Sequence, residues 1–408
     1  MMVVETMSPN ERIEAAVNLE EVDRTPISLA ITSAFLARNY GVKLSDIYKD
    51  PLKGLELELK FWDEVGGWDA RNTVLGYPLT PLAIVNVPSN PALRGFVAVP
   101  PSPVERWGFT CFIPGINFPE DRDIQFEEPG ILKEEDYDKI VEVGWEEFFL
   151  ELIRRLTGKE VTKDMMNEEM KAWGKFSSKI KEIIKQKGIE NFLIFAPVGD
   201  PLVTLSVWRD HIQFAIDLKR RYEKVKAAVE VITECHLDYF KKYIKLAHEI
   251  EPHVRNVNIG SARTTIRFLG RKRWEELAWP WIRDATKYVL SLGLRPVFHL
   301  DGRFLECLPY FKEEFPERKC IFWLDNNTDI FKAKEILRGW GCLYGGLTPS
   351  IVSFGSPQDI VSYCKKIIDV LGKDSGFIFS CACYIAPTAK AELVKLAVRI
   401  AKTHKPPK

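Results

Sequence analysis

Short apolar runs alternate with stretches of helical periodicity through most of this chain. Ser8-Pro9-Asn10-Glu11 reads as a capping box with proline at the first helical position, opening a helix through Val17. Thr25–Ile31 is an apolar run of strand character. Ser33–Tyr40 is helical and stops at Gly41. Asp50 caps a helix from Pro51 that buries Leu55, Phe61, Trp62 and Val65. Trp68–Val74 reads as the next strand. Asp136–Arg155 and Lys163–Lys187 are amphipathic helices, the second highly charged.

From there the pattern becomes regular. Phe192–Phe195 ends in APVGD and is followed by helices Trp208–Arg221 and Glu223–Ile250. Val254–Ile259 ends in NIGSAR, before a helix Arg273–Leu292 punctuated by Pro280. Val297–Leu300 ends in HLDGR. Cys320–Leu324 ends in DNN, with Ile330–Leu337 as its helix. Cys342–Tyr344 ends in two glycines, before the helix Pro357–Leu371. Phe377–Phe379 runs into SCAC, and Lys390–Lys402 is the last helix. Short apolar strands alternating with helices imply parallel pairing. Counting from residue 27 or 68 gives about eight strands, which predicts an α/β fold, a (β/α)8 TIM barrel. A doubly wound sheet is the competitor, but no glycine-rich phosphate loop follows the first strand.

The expected organisation is a single barrel domain over 1–408, with N-terminal helices over 1–66 and an insertion over 78–129. In that insertion prolines recur, so short extended pieces are favoured over long helices. Interleaved Phe96, Trp107, Phe109, Phe112 and Phe118 suggest an ordered cover over the barrel mouth. A small subdomain with its own aromatic core is the alternative.

Composition narrows the function classes. Lys plus Arg and Asp plus Glu both number 57, so no net field favours nucleic acid or an anionic membrane. No apolar stretch is long enough to span a bilayer, and the start resembles neither a signal peptide nor a transit segment. Eight cysteines, several inside apolar runs, do not form a secreted disulfide framework, so a cytoplasmic protein is expected. Walker A, GxGxxG, HExxH and GxSxG patterns are absent.

The candidate chemistry lies at strand ends. Residues two apart on a strand share a face, so His299 and Asp301 emerge side by side where RPVFHLDGR leaves its strand. Cys381 and Cys383 follow another apolar strand. An imidazole, a carboxylate and thiols at the ends of buried strands are a plausible zinc set. His299 as a hydrogen-bonded structural residue, or with Asp301 as a metal-free acid–base dyad, are the competing readings. Asn258, Asp325 and Arg303 are candidate substrate contacts, and Arg263 a candidate carboxylate binder. Asp325 and Asn258 read equally well as caps or loop-fixing side chains.

Several segments carry a resemblance. ERIEAAVNLEEVDRTPISL resembles the helix and "DRxP" entry of the uroporphyrinogen decarboxylase-like superfamily. GRKRWEELAWPWIRDATKYVLSLGLRPVFHLDG resembles the helix and strand ending in His-x-Cys-Gly on its cobalamin-dependent methyltransferase side. GGLTPSIVSFGSPQDIVSYCKKIID and GFIFSCACYIAPTAKAELVKLAV resemble the glycine-rich strand with its turn and helix, and the closing strand, cysteine and helix. The likeness covers all but Pro78–Pro129 and is most distinctive over Trp274–Ala397.

By that resemblance, His299 stands on the zinc histidine and Cys383 on the distal zinc cysteine, while Asp301 replaces the first cysteine. Aspartate is a competent zinc ligand, and the formal charge is unchanged. Cys381 is a possible further ligand. The implied activity is zinc-dependent methyl transfer between a small substrate, an aryl methyl ether or thiol, and a corrinoid (cobalamin). No DxHxxG corrinoid-binding pattern occurs here, so the corrinoid is expected on a partner protein. The decarboxylases resemble one another in an Arg-Gln-Ala-Gly-Arg loop near the first strand. Here SLAITSAFLARNYG offers only Arg38, too little to clamp a polycarboxylate. A decarboxylase-type lyase and a non-catalytic binder of a corrinoid protein or small aromatic are the alternatives. The oligomeric state is open, with a homodimer as one option.

Overall fold

Five parallel strands pair strictly in chain order on the C-terminal side of the molecule. The computed structural model describes residues 5–72, 84–86, 94–98, 107–112, 115, 119–122, 125–128, 130–158, 160, 162–196 and 198–406. An antiparallel meander comes first in the chain: β1 (Ile84–Asn86), β2 (Arg94–Ala98), β3 (Trp107–Phe112) and β4 (Gln125–Glu127). The parallel set is β5 (Asn256–Ala262), β6 (Arg295–Asp301), β7 (Ile321–Leu324), β8 (Cys342–Leu347) and β9 (Phe377–Cys381).

Three short segments complete the ring through single parallel bridges: Ile27 to Phe379, Arg71 to Asn191, and Ile194 to Val257. Phe379 N–H donates to Pro26 O at 2.8 Å, and Asp69 N–H to Ile27 O at 2.9 Å. Phe192 N–H donates to Arg71 O at 2.7 Å, and Ile194 N–H to Asn256 O at 2.8 Å. Hydrogen bonds therefore run all the way round, and the sheet has no free edge. The chain forms a (β/α)8 barrel. Its first stave lies inside the 1–66 segment, which is otherwise largely helical where described.

The strands β6 to β9 are buried on both faces, as expected where helices cover the outside and side chains fill the inside. Tyr344 shows how the interior is stitched. Its hydroxyl donates to Ser28 O at 2.9 Å and accepts from Asn72 Nδ2 at 2.8 Å, while its ring meets Phe192 and Trp323. At the entry, the capping box of Ser8 and Glu11 is formed. The helix it opens, Pro9–Val17, carries the fully buried Arg12, which reaches Asp23 at 2.6 Å and also Asp69.

Some boundaries differ from the sequence reading. Asp136–Arg155 is two helices, Asp136–Val143 and Trp145–Thr157, because Gly144 takes φ 81° between them. The helix expected from Trp208 begins at Pro201 and breaks at Asp210, which adopts φ 75°. The Asp210 carboxylate then caps the next helix, His211–Arg220, accepting from Ile212 N–H at 2.9 Å. Pro280 leaves its mark as a π-turn over Trp274–Ala278, where Trp279 N–H donates to Trp274 O. Proline clashes with the carbonyl four residues back, and widening the turn relieves that clash.

The meander bears out short extended pieces in the proline-rich segment. Its aromatic side chains and its expected place over the mouth lie outside the described residues. The described return of this segment is tied down where Ser45 N–H donates to Glu120 O at 3.2 Å and His211 N–H to Glu128 Oε2 at 2.8 Å. Among the described residues, no helix is long and apolar enough to cross a membrane. Seven described cysteines are free thiols.

Candidate metal centre

His299 and Asp301 leave β6 on one face, as their spacing requires. Gly302 then turns the chain at φ 139°, where a Cβ would press to 3.2 Å from Thr265 Cγ2. Across the barrel, β9 ends at Cys381 and the following loop brings Cys383 to His299. Nε2 of His299 lies 3.4 Å from Cys383 Sγ and 3.3 Å from Asp301 Oδ1. The three donor atoms all fall within 4.8 Å of one another. Ligands held at zinc-bond lengths around one tetrahedral ion sit roughly 3.3–3.8 Å apart, so modest side-chain movement closes the set.

One observation speaks for a missing partner at this spot. Asp301 Oδ1 is inaccessible to water and makes no well-aligned hydrogen bond, despite its closeness to Nε2. A buried carboxylate oxygen left this way costs free energy unless something positive meets it. The residues present fit a zinc ion, with one nitrogen, one oxygen and one sulfur donor.

Local electrostatics agree with that fit. Burial raises the Asp301 carboxyl, but the adjacent His299 ring and the Cys383 thiol outweigh it, holding the group below its usual value. Burial and the Asp301 charge push the Cys383 thiol far up. A thiol beside a carboxylate keeps its proton until a cation takes that proton's place.

The other candidates separate. Cys381 is buried and turned away, its thiol donating to Cys383 O at 2.9 Å and Ala30 O at 3.4 Å. Burial pushes it up to about 11. The strand ends at Cys381, so the two-residue rule that puts side chains on one face does not extend to Cys383. Asn258 is buried on β5, its Oδ1 without a hydrogen-bond partner. Gly260 opposes His299 in the register, and a Cβ there would lie 3.5 Å from Asn258 Nδ2. Asp325 binds its own loop, accepting from Asn327 N–H at 2.9 Å and Asn327 Nδ2 at 2.6 Å. Arg303 is exposed just past Gly302, and Arg263 pairs with Glu128.

Asp200, at the third stave's exit, holds the mouth together. It accepts from Ser261 Oγ at 2.8 Å, Thr264 Oγ1 at 2.6 Å and Leu202 N–H at 2.9 Å. Burial pushes its carboxyl up to about 6, against those hydrogen bonds. An acid whose folded value exceeds its unfolded one binds the proton more tightly when folded. Stability is therefore lost as pH rises from 3.8 to about 6. Asp200→Asn, whose amide can donate to both hydroxyls, is expected to be more stable than wild type above pH 6, by up to about 3 kcal/mol. Urea unfolding of both proteins at pH 4 and pH 7.5 checks this: the advantage should vanish at the lower pH.

Two site neighbours escaped the sequence reading. Trp323 stacks on the His299 ring with centroids 3.8 Å apart, and Tyr384 meets that ring edge-on at 5.9 Å. The signal was present in IFWLDNN, a tryptophan one residue from the end of a buried strand, but nothing local distinguished it from core.

The sequence matches the uroporphyrinogen decarboxylase (URO-D) family over residues 116–404. None of the curated proteins matches it. A solved structure of a methyltransferase from Methanosarcina mazei is similar, with TM-score 0.58 at 14% identity, over 97% of this chain and 98% of that one. At that identity the likeness speaks for the barrel alone.

Proposed function

The chain belongs to the uroporphyrinogen decarboxylase family, and on that premise we propose that it is a zinc-dependent methyltransferase. It would move a methyl group between a small substrate, an aryl methyl ether or a thiol, and a corrinoid carried by a partner protein. The observation that carries this reading is the three-donor set of His299, Asp301 and Cys383, brought together from the end of β6 and the loop after β9 around a buried carboxylate oxygen that makes no well-aligned hydrogen bond. The similar barrel from Methanosarcina mazei is a methyltransferase, which supports it.

In this reading His299, Asp301 and Cys383 hold the zinc. Bound there, zinc supplies Lewis acidity to the heteroatom that carries or receives the methyl group and lowers its pKa. Asp301 makes the donor set harder than one with two thiolates, which favours an ether or phenolate oxygen over a thiol. The Asn258 amide, beside the space that Gly260 leaves next to His299, meets a polar group of the substrate. Arg303 offers its exposed guanidinium at the same mouth, and Asp325 holds the neighbouring loop in shape. The insertion over 78–129 serves as cover or partner surface for a single barrel domain, and the free thiols suit a reducing cytoplasm.

The experiment is elemental analysis of protein purified without chelator or nickel, followed by turnover with a corrinoid protein. Near-stoichiometric zinc and metal-dependent demethylation of aryl methyl ethers, at least about tenfold faster than reaction with thiols, are expected. Absence of metal after zinc is supplied would sink the reading in favour of the His299–Asp301 dyad. Zinc-independent loss of carboxylate from a porphyrinogen would favour the lyase activity after which the family is named.

A further inference from the structure

We propose that Trp323 is a positioning residue that holds the imidazole and the thiolate loop of the metal centre in one arrangement; this rests on the zinc reading above. Trp323 and His299 are direct register partners on β7 and β6. Their side chains therefore leave neighbouring strands side by side, and the two ring planes lie only 14° apart at a centroid distance of 3.8 Å. The indole is wholly buried, so it touches no solvent and is not a surface for substrate.

Its polar edge reaches the other half of the site. Trp323 Nε1 donates to Cys381 O at 3.1 Å, skipping β8 to reach the end of β9. From there the chain is folded back on itself, because the Cys381 thiol donates to Cys383 O at 2.9 Å. A second handle is Tyr384, whose ring stands at 72° to the indole with centroids 5.4 Å apart. One rigid side chain thus fixes the plane of His299 on its face, and the loop bearing Cys383 through its N–H and its ring contact. Beneath it, Tyr344 packs on the indole and is itself hydrogen-bonded to Ser28 and Asn72, so the support extends into the barrel core.

The physical need is plain. A three-donor site built from one strand end and one loop loses affinity if any donor can swing, because each must be ordered when the ion binds. Imidazole rotation about its last torsion is broad and weakly restrained by its own rotamer preferences. Stacking removes that freedom in advance. Trp323→Phe keeps a ring face but leaves Cys381 O without its donor, and Trp323→Leu removes both restraints.

The test is cobalt(II) and zinc titration of the full chain, read by affinity and by the visible absorption of the cobalt form. Phe322→Leu is the control: Phe322 is equally buried on the same strand but packs on Phe298 and Phe311 instead. Trp323→Leu should bind zinc about 10–100-fold more weakly than wild type, with altered cobalt ligand-field bands. Trp323→Phe should fall between, and Phe322→Leu should lose thermal stability while keeping wild-type affinity and spectrum. If both Trp323 variants bind like Phe322→Leu, the inference is overturned and the zinc reading stands. If wild type binds neither ion, the zinc reading fails and takes this inference with it.

Discussion

Replacing His299 by alanine, or Cys383 by serine, is expected to abolish zinc retention and turnover together. Each variant removes one of three donors, so the loss in affinity should exceed the roughly 10–100-fold that follows removal of an outer partner. Dialysed protein measured for zinc, and its melting temperature with and without added zinc, check this. Wild type should be stabilised by the ion through mass action, and neither variant should be. Asp301→Cys is the informative counterpart. It restores the His-x-Cys spacing of the methyltransferases that the sequence resembles, so it should keep the metal and shift preference toward thiols. Retained zinc in both His299→Ala and Cys383→Ser would place the ion elsewhere.

The largest loss of stability is expected at the other end of the barrel, from Arg12→Met. Arg12 is fully buried between Asp23 and Asp69, and Asp69 also accepts from Arg24 and from Ile27 N–H at 2.8 Å. Removing the guanidinium leaves two buried carboxylates short of a partner, a change that typically costs about 3–5 kcal/mol. The site of the damage matters as much as its size. Asp69 bonds the first stave and begins the second, where closure rests on single bridges.

The acid limb of the unfolding curve carries a second signature. Burial alone raises Asp23, but Arg12 and the Met7 and Thr6 N–H groups outweigh it and hold the carboxyl far below its usual value. A depressed carboxyl stabilises the fold above its unfolded value of 3.8, and that contribution disappears as pH falls toward the folded value. Urea unfolding from pH 7 down to pH 3 should show this fall in wild type and a flatter one in Arg12→Met. Equal curves would mean that the Met7 and Thr6 N–H groups, not Arg12, hold the Asp23 carboxyl down.

Much of this was legible in the chain because it depends on local chemistry. All eight staves were visible as apolar runs, including Thr25–Ile31 and Trp68–Val74; the first and the described part of the second, which ends at residue 72, pair through single bridges. The pairing of His299 with Asp301 followed from strand alternation within one segment. Where a backbone angle broke the pattern, as at Gly144 and Asp210, helices were read as longer or later than they are. Positive φ at an aspartate has no hydrophobic signature.

Sequence alone therefore determined the alternation of strand and helix, the capping of the entry helix, and the side-by-side exit of His299 and Asp301. Periodicity and capping act within a few residues, so they are written where they act. Only the tertiary structure decided that Cys383 reaches His299 while Cys381 turns away, and that Trp323 lies flat on the imidazole. The tertiary structure also showed Asp325 serving its own loop and Asp200 locking Ser261 and Thr264. Those contacts join segments far apart in the chain, and closure of the barrel, not local preference, sets which strand ends meet.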